Sequence, residues 1–146
     1  PVGGGALING IAVWLKHASP RTRIIGVCAE GSPAYALSFA AGRVIETPTC
    51  ETIADGIAVR TPVAASLETM RRVVDEVVLV PDEEILEGMR LLHRTTGLIV
   101  EGTTGAAVAA LLRQRDKWRG KTVAIPNCGK NLTDEQKAEW LGIGPA

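Results

Sequence analysis

Three short runs of aliphatic and β-branched residues, Ile24-Ile25-Gly26-Val27-Cys28-Ala29, Val77-Val78-Leu79-Val80 and Thr122-Val123-Ala124-Ile125, are separated by segments of helical periodicity, and this alternation constrains the fold most. None of the runs alternates polar with apolar, so each reads as a parallel strand buried on both faces. Parallel strands need crossovers, and crossover helices cover the sheet. The expected architecture is α/β, a three-layer αβα sandwich around a mostly parallel sheet. With 146 residues, 46% of them hydrophobic, residues 1–146 read as a single α/β domain with enough apolar material for a core.

Leu7, Ile8, Ile11, Trp14, Leu15 and Ala18 recur at helical spacing, and Ser19-Pro20 closes that helix. Glu30-Gly31-Ser32-Pro33 opens a second one. From Arg43 to Pro62 the chain is rich in Thr, Pro and Gly and reads as a long ordered loop across the top of the fold. Helices are expected at about 63–75 and 82–95, the latter with Asp82, Glu83 and Glu84 in the first turn, where the dipole favours acids. Gly105 to Leu112 is nearly all small or aliphatic, so its helix should be buried on most sides.

Sixteen basic residues balance sixteen acidic ones without long blocks of either sign, which points away from nucleic acid and anionic membranes and toward a small-molecule ligand. Cys28, Cys50 and Cys128 form no CxxC pair and no even set, so neither a disulfide framework nor a zinc site is indicated, and a reducing cytosol fits best. No apolar stretch reaches the roughly 20 residues of a spanning helix. A soluble, cytoplasmic protein is expected. Pro1-Val2 leads into glycines without an initiator Met or a preceding strand, which reads as truncation at the N-terminus.

Gly3-Gly4-Gly5 stands directly before the first helix. Amides at a helix start lack intrahelical partners, and glycine lets a phosphate approach them. The triplet matches neither the Walker pattern nor the dinucleotide fingerprint, and taken alone it reads equally as a tight turn. Loops at the carboxyl ends of parallel strands converge where ligands bind. Four such loops begin at Gly3, Glu30, Glu101 and Asn127, and Thr52 to Val59 is placed to fold over them. Glu101, before Gly102-Thr103-Thr104-Gly105, is either a cleft carboxylate or a helix cap. Cys128, before Gly129, is either a donor to a ligand nitrogen or a small buried residue. His93 reads as a helix-face residue, His17 as a surface one and Cys28 as core packing.

Taken in order, Pro1-Val2-Gly3-Gly4-Gly5-Ala6-Leu7-Ile8-Asn9-Gly10, Ile25-Gly26-Val27-Cys28-Ala29-Glu30, Thr52-Ile53-Ala54-Asp55-Gly56-Ile57-Ala58-Val59, Val100-Glu101-Gly102 and Cys128-Gly129-Lys130-Asn131 resemble one family. The chain is similar, from Pro1 to about Asn131, to the C-terminal half of the fold-type-II (tryptophan synthase β-like) pyridoxal-phosphate enzymes, specifically the threonine/serine dehydratases and serine racemases. The Thr-Ile-Ala-Asp-Gly stretch is its most specific element.

The resemblance implies that Gly3, Gly4, Gly5 and Ala6, the last replacing a fourth glycine, bind the phosphate of pyridoxal 5'-phosphate through backbone N–H groups. It places Cys128 as a neutral donor to the pyridine nitrogen, Gly56 where backbone approaches the cofactor ring, and Glu101 beside that ring. Glu30 matches one ligand of a divalent-cation site found in some members, but Ala36 stands where a second acid is expected, so no metal is assigned. Lys130 replaces a second glycine after Cys128, and Pro126-Asn127 replaces an apolar lead-in. The lysine that anchors the cofactor, expected in a Ser-x-Lys-x-Arg setting in the N-terminal half, is absent. Lys16, Lys117, Lys121, Lys130 and Lys137 lie in other contexts.

The resemblance thus implies most of the large domain of a dehydratase, an ammonia-lyase that eliminates water from L-threonine or L-serine. The chain alone is expected to be inactive without the missing N-terminal half. Racemisation of the same amino acids, or a non-catalytic phosphate-ligand module, stand as alternatives. Sheet edges and apolar faces left uncovered predict self-association as a homo-oligomer.

Overall fold

The computed structural model describes residues 1–144; positions 145 and 146 of the expected domain lie outside the described residues. Helix α1 (Ala6–Ala18) is followed by β1 (Ile25–Ala29), α2 (Ala34–Ala41), a short 3-10 turn (Asp55–Ile57), α3 (Ala64–Val73), β2 (Glu76–Val80), α4 (Asp82–Thr96), α5 (Gly102–Arg113), a second 3-10 turn (Arg115–Trp118) and α6 (Asp134–Leu141). β1 and β2 pair in parallel, Ile25 opposite Glu76 through Ala29 opposite Val80. Helices lie on both faces, as the alternation requires.

Side chains on a strand alternate between faces, and here both faces are apolar. Val27 and Ala29 of β1 with Val78 and Val80 of β2 join Ile85, Met89, Val100, Ala106 and Ala109 beneath α4 and α5. Cys28, Val77 and Leu79 join Val2, Ile8, Ala12, Tyr35, Leu67 and Met70 beneath α1, α2 and α3. The result is three layers with a core on either side of the sheet. α4 and α5 cross closely at two glycines, because a β-carbon on Gly88 would sit 2.6 Å from Gly105 O and one on Gly105 would sit 2.6 Å from Ile85 O. Every residue from Gly102 to Ala110 is buried, in line with the small-residue composition of that segment.

The third expected strand does not form. Among the described residues the sheet has two strands, and Thr122–Ile125 is irregular and largely exposed, Val123 to 44%. A strand persists only where a neighbour takes its N–H and C=O groups, and its β-propensity alone does not supply one. The edge of β1 away from β2 is met by Val2, whose N–H donates to Val27 O at 2.8 Å. That bond carries the chain from the sheet directly into the glycine loop.

Candidate functional site

Gly5 caps α1 with φ +86° and supplies no capping side chain. Positive φ favours glycine. A β-carbon there would also strike the Ser66 hydroxyl, and one on Gly3 would lie 2.5 Å from Gly56 O. Gly4 faces open space. Among the described residues, the N–H groups of Gly3, Gly4 and Gly5 find no acceptor in the chain. These are unpaired donors at the positive end of a helix, the arrangement that attracts an anion.

The opposite wall is the Thr52–Val59 stretch. Asp82 at the start of α4 holds it, accepting from Thr52 Oγ1 at 2.6 Å and from Ile53 N–H at 2.9 Å. Ser32 holds its far end, accepting from Val59 N–H at 2.8 Å and lying 3.2 Å from Ile57 O. Gly56 is thereby pressed against Thr103, whose hydroxyl oxygen would be 2.5 Å from any β-carbon at position 56. Thr103 Oγ1 is buried and unpartnered among the described residues.

At the third wall Glu101 occupies the N-cap position of α5, yet its side chain makes no capping bond. The carboxylate instead accepts from Asn131 N–H at 3.2 Å and lies against Gly129, which has no room for a side chain. Glu101 N–H donates to Gly129 O at 3.1 Å. The buried Thr104 hydroxyl accepts from Cys128 N–H at 3.0 Å and donates to Asn127 Oδ1 at 3.2 Å, and so docks the Cys128 loop on α5. Burial pushes the Cys128 thiol above its ordinary pKa, and the Glu101 carboxylate pushes it the same way, so it stays protonated at neutral pH.

These walls enclose one cavity of about 270 Å³ lined by the glycine loop, Gly56, Ile57, Glu101, Thr103 and Cys128. All seven residues assigned to cofactor binding from sequence, Gly3, Gly4, Gly5, Ala6, Gly56, Glu101 and Cys128, meet there. Unpaired amides, a protonated thiol and an unpartnered hydroxyl around one cleft fit a flat heterocycle bearing a phosphate. Among the described residues no lysine lines the cavity.

Glu30 lies elsewhere, exposed and with Oε1 3.6 Å from Arg113, and no group of three or more His, Cys, Asp or Glu side chains forms among the described residues. A larger cavity of about 320 Å³ sits between α4 and α6, remote from the glycine loop and lined by Arg90, His93 and Trp140 among others. Cys28 is core packing, and burial pushes its thiol up to about 12. Sequence reasoning missed Thr103 and Thr104, two hydroxyls inside an apolar helix start where only the fold distinguishes them from spacers.

Residues 1–129 match the pyridoxal-phosphate dependent enzyme family, and the chain belongs to it. It is 42% identical over 130 residues to an L-threonine ammonia-lyase of Geobacter sulfurreducens, covering 88% of this chain and 32% of that protein. Among solved structures it resembles a processed threonine deaminase isoform 2 from Solanum lycopersicum at TM-score 0.87 and 28% identity, covering 95% of this chain and 39% of that one. Maize serine racemase aligns at TM-score 0.84 and 30% identity, over 91% of this chain and 42% of that one. The chain therefore spans about a third of the curated relative's length. Among the described residues no helix is long and apolar enough to cross a membrane.

Proposed function

We propose that this chain is the cofactor-holding part of an ammonia-lyase that removes water from L-threonine or L-serine to give a 2-oxo acid and ammonia. One observation carries the reading: the seven residues that the resemblance assigns line a single cleft whose glycine amides lack partners among the described residues. Support comes from the Geobacter relative, named an L-threonine ammonia-lyase. Bound pyridoxal phosphate supplies an electron sink for the bond broken at the substrate α-carbon.

The chain's own residues bind and orient. The Gly3–Ala6 amides grip the phosphate, and Gly56, bare of a side chain, lets the ring lie close to backbone. The Cys128 thiol, hydrogen-bonded to Pro126 O at 3.6 Å in this structure, would keep its proton on sulfur and turn it as a hydrogen-bond donor to the ring nitrogen. A neutral donor leaves that nitrogen less electron-withdrawing than a carboxylate partner would, which suits β-elimination. Glu101, fixed by Asn131 and Gly129, borders the ring. The anchoring lysine and the loop for the substrate carboxylate belong, in this reading, to the part of the protein this chain does not span, and residues 1–146 form one domain of it. In this reading the assembled enzyme is a cytosolic homo-oligomer, and the exposed Leu7, Val13 and Trp14 on α1 support the association.

The test is turnover by the full-length protein given L-threonine and L-serine. The expected result is 2-oxo acid with one ammonia per molecule. Chiral inversion without 2-oxo acid would replace the lyase by a racemase. Cofactor binding without either reaction would leave a non-catalytic module.

A further inference from the structure

Three consecutive glycines make a very poorly restrained backbone, whereas an anion site binds well only if its donors are held before the ligand arrives. The restraint here comes from outside the loop. Two hydroxyls converge on one atom, the carbonyl oxygen of Gly4: Tyr35 Oη donates to it at 2.8 Å and Ser66 Oγ at 3.0 Å. Neither side chain lines the cleft.

Both hydroxyls are themselves fixed. Tyr35 is buried in α2 and accepts the Val63 N–H at 3.1 Å, which leaves its single proton for Gly4. Ser66 Oγ, at the start of α3, accepts from Asn9 Nδ2 at 3.0 Å, and the same Nδ2 reaches Ser66 O at 2.9 Å. Asn9 sits one turn along α1, with its N–H on Gly5 O at 3.0 Å. Gly4 O is thus held directly from α2 and α3, and Asn9 of α1 holds Ser66 in turn.

In a trans peptide the C=O and N–H point in opposite directions. Fixing Gly4 O on Tyr35 and Ser66 therefore turns the Gly5 N–H away from them. If that peptide flipped, an anion in the cleft would face a carbonyl oxygen and lose a donor. We infer that Tyr35 and Ser66 are positioning residues for the phosphate loop, clamping the Gly4 carbonyl so that the Gly5 amide stays presented to the phosphate. The inference rests on the reading of Gly3–Ala6 as the phosphate cradle.

The test uses full-length protein stripped of cofactor and titrated separately with pyridoxal 5'-phosphate and with pyridoxal, which lacks the phosphate. The ratio of the two dissociation constants isolates the phosphate's share of binding. A clamp lost from one hydroxyl should lower that ratio about threefold in Ser66→Ala, and about tenfold in Tyr35→Phe combined with Ser66→Ala. Pyridoxal affinity should hold, and Ser66→Thr should restore the ratio. Should the double variant fail to fold, Ser66→Ala alone decides. An unchanged ratio in Ser66→Ala, or equal weakening of both ligands, would overturn the clamp. Equal affinity of the unsubstituted protein for both ligands would instead overturn the cradle, and the clamp with it.

Discussion

The two ends of the cleft are built differently. The glycine loop is braced from behind by the buried Tyr35 on α2 and the half-buried Ser66 on α3, itself held by Asn9 of α1, and its conformation is required by a positive φ and by the Ser66 hydroxyl. The Cys128 loop rests on the start of α5 through Thr104, Glu101 and Asn131, and the segment before it, Thr122–Ile125, is exposed and forms no strand. Precision at the phosphate end thus comes from the backbone and what lies beneath it. At the ring end it comes from a few side chains docking an otherwise weakly held loop, so the two ends should fail differently.

Gly5→Val should do the most damage, because it breaks the braced end in two ways. The left-handed backbone alone costs a β-branched residue about 1–3 kcal/mol, and overlap with Ser66 adds to it. Urea denaturation of the full-length protein should give a lower midpoint, and cofactor affinity should fall with it. Thr104→Val keeps the shape but removes the hydroxyl, at about 1 kcal/mol. Its mark should be local: faster hydrogen exchange at the Cys128 amide, with that of Asn9 unchanged. Equal acceleration at both would erase the distinction between the two ends.

Thiols sharpen the contrast further. Cys28, in the core beneath the glycine loop, has a folded-state pKa of about 12 against an ordinary value of 9.0. A raised pKa favours folding while the group is protonated, so this contribution is complete below pH 9.0 and is lost as pH climbs toward 12. Melting temperatures from pH 8 to pH 11 should fall more steeply for the unsubstituted protein than for Cys28→Ala. The smallest effect belongs to Lys130→Gly, which restores the glycine the resemblance expects. Lys130 is exposed and does not have positive φ, so stability should change by no more than about 0.5 kcal/mol.

The layered fold was legible because β1 and β2 are apolar on both faces and α1 and α4 carry strong helical periodicity. The convergence of the site was legible only through motif order, since spacing alone left Gly3-Gly4-Gly5, Glu101 and Cys128 each with an ordinary structural reading. Glu101 illustrates what sequence omits: it stands where a capping acid would, but the fold turns its carboxylate to Asn131 and Gly129. Thr122–Ile125 has strand composition, but pairing is a long-range property that no local pattern contains. Tyr35 and Ser66 carry no motif at all, and their convergence on Gly4 O joins residues 31 and 62 positions apart from it.

Whether this cleft holds pyridoxal phosphate by its phosphate is decided by a crystal structure of the full-length protein with the cofactor bound. Phosphate oxygens should lie within hydrogen-bond distance of the Gly3–Ala6 amides and the ring nitrogen beside the Cys128 thiol. A phosphate bound away from the glycine loop would contradict this placement.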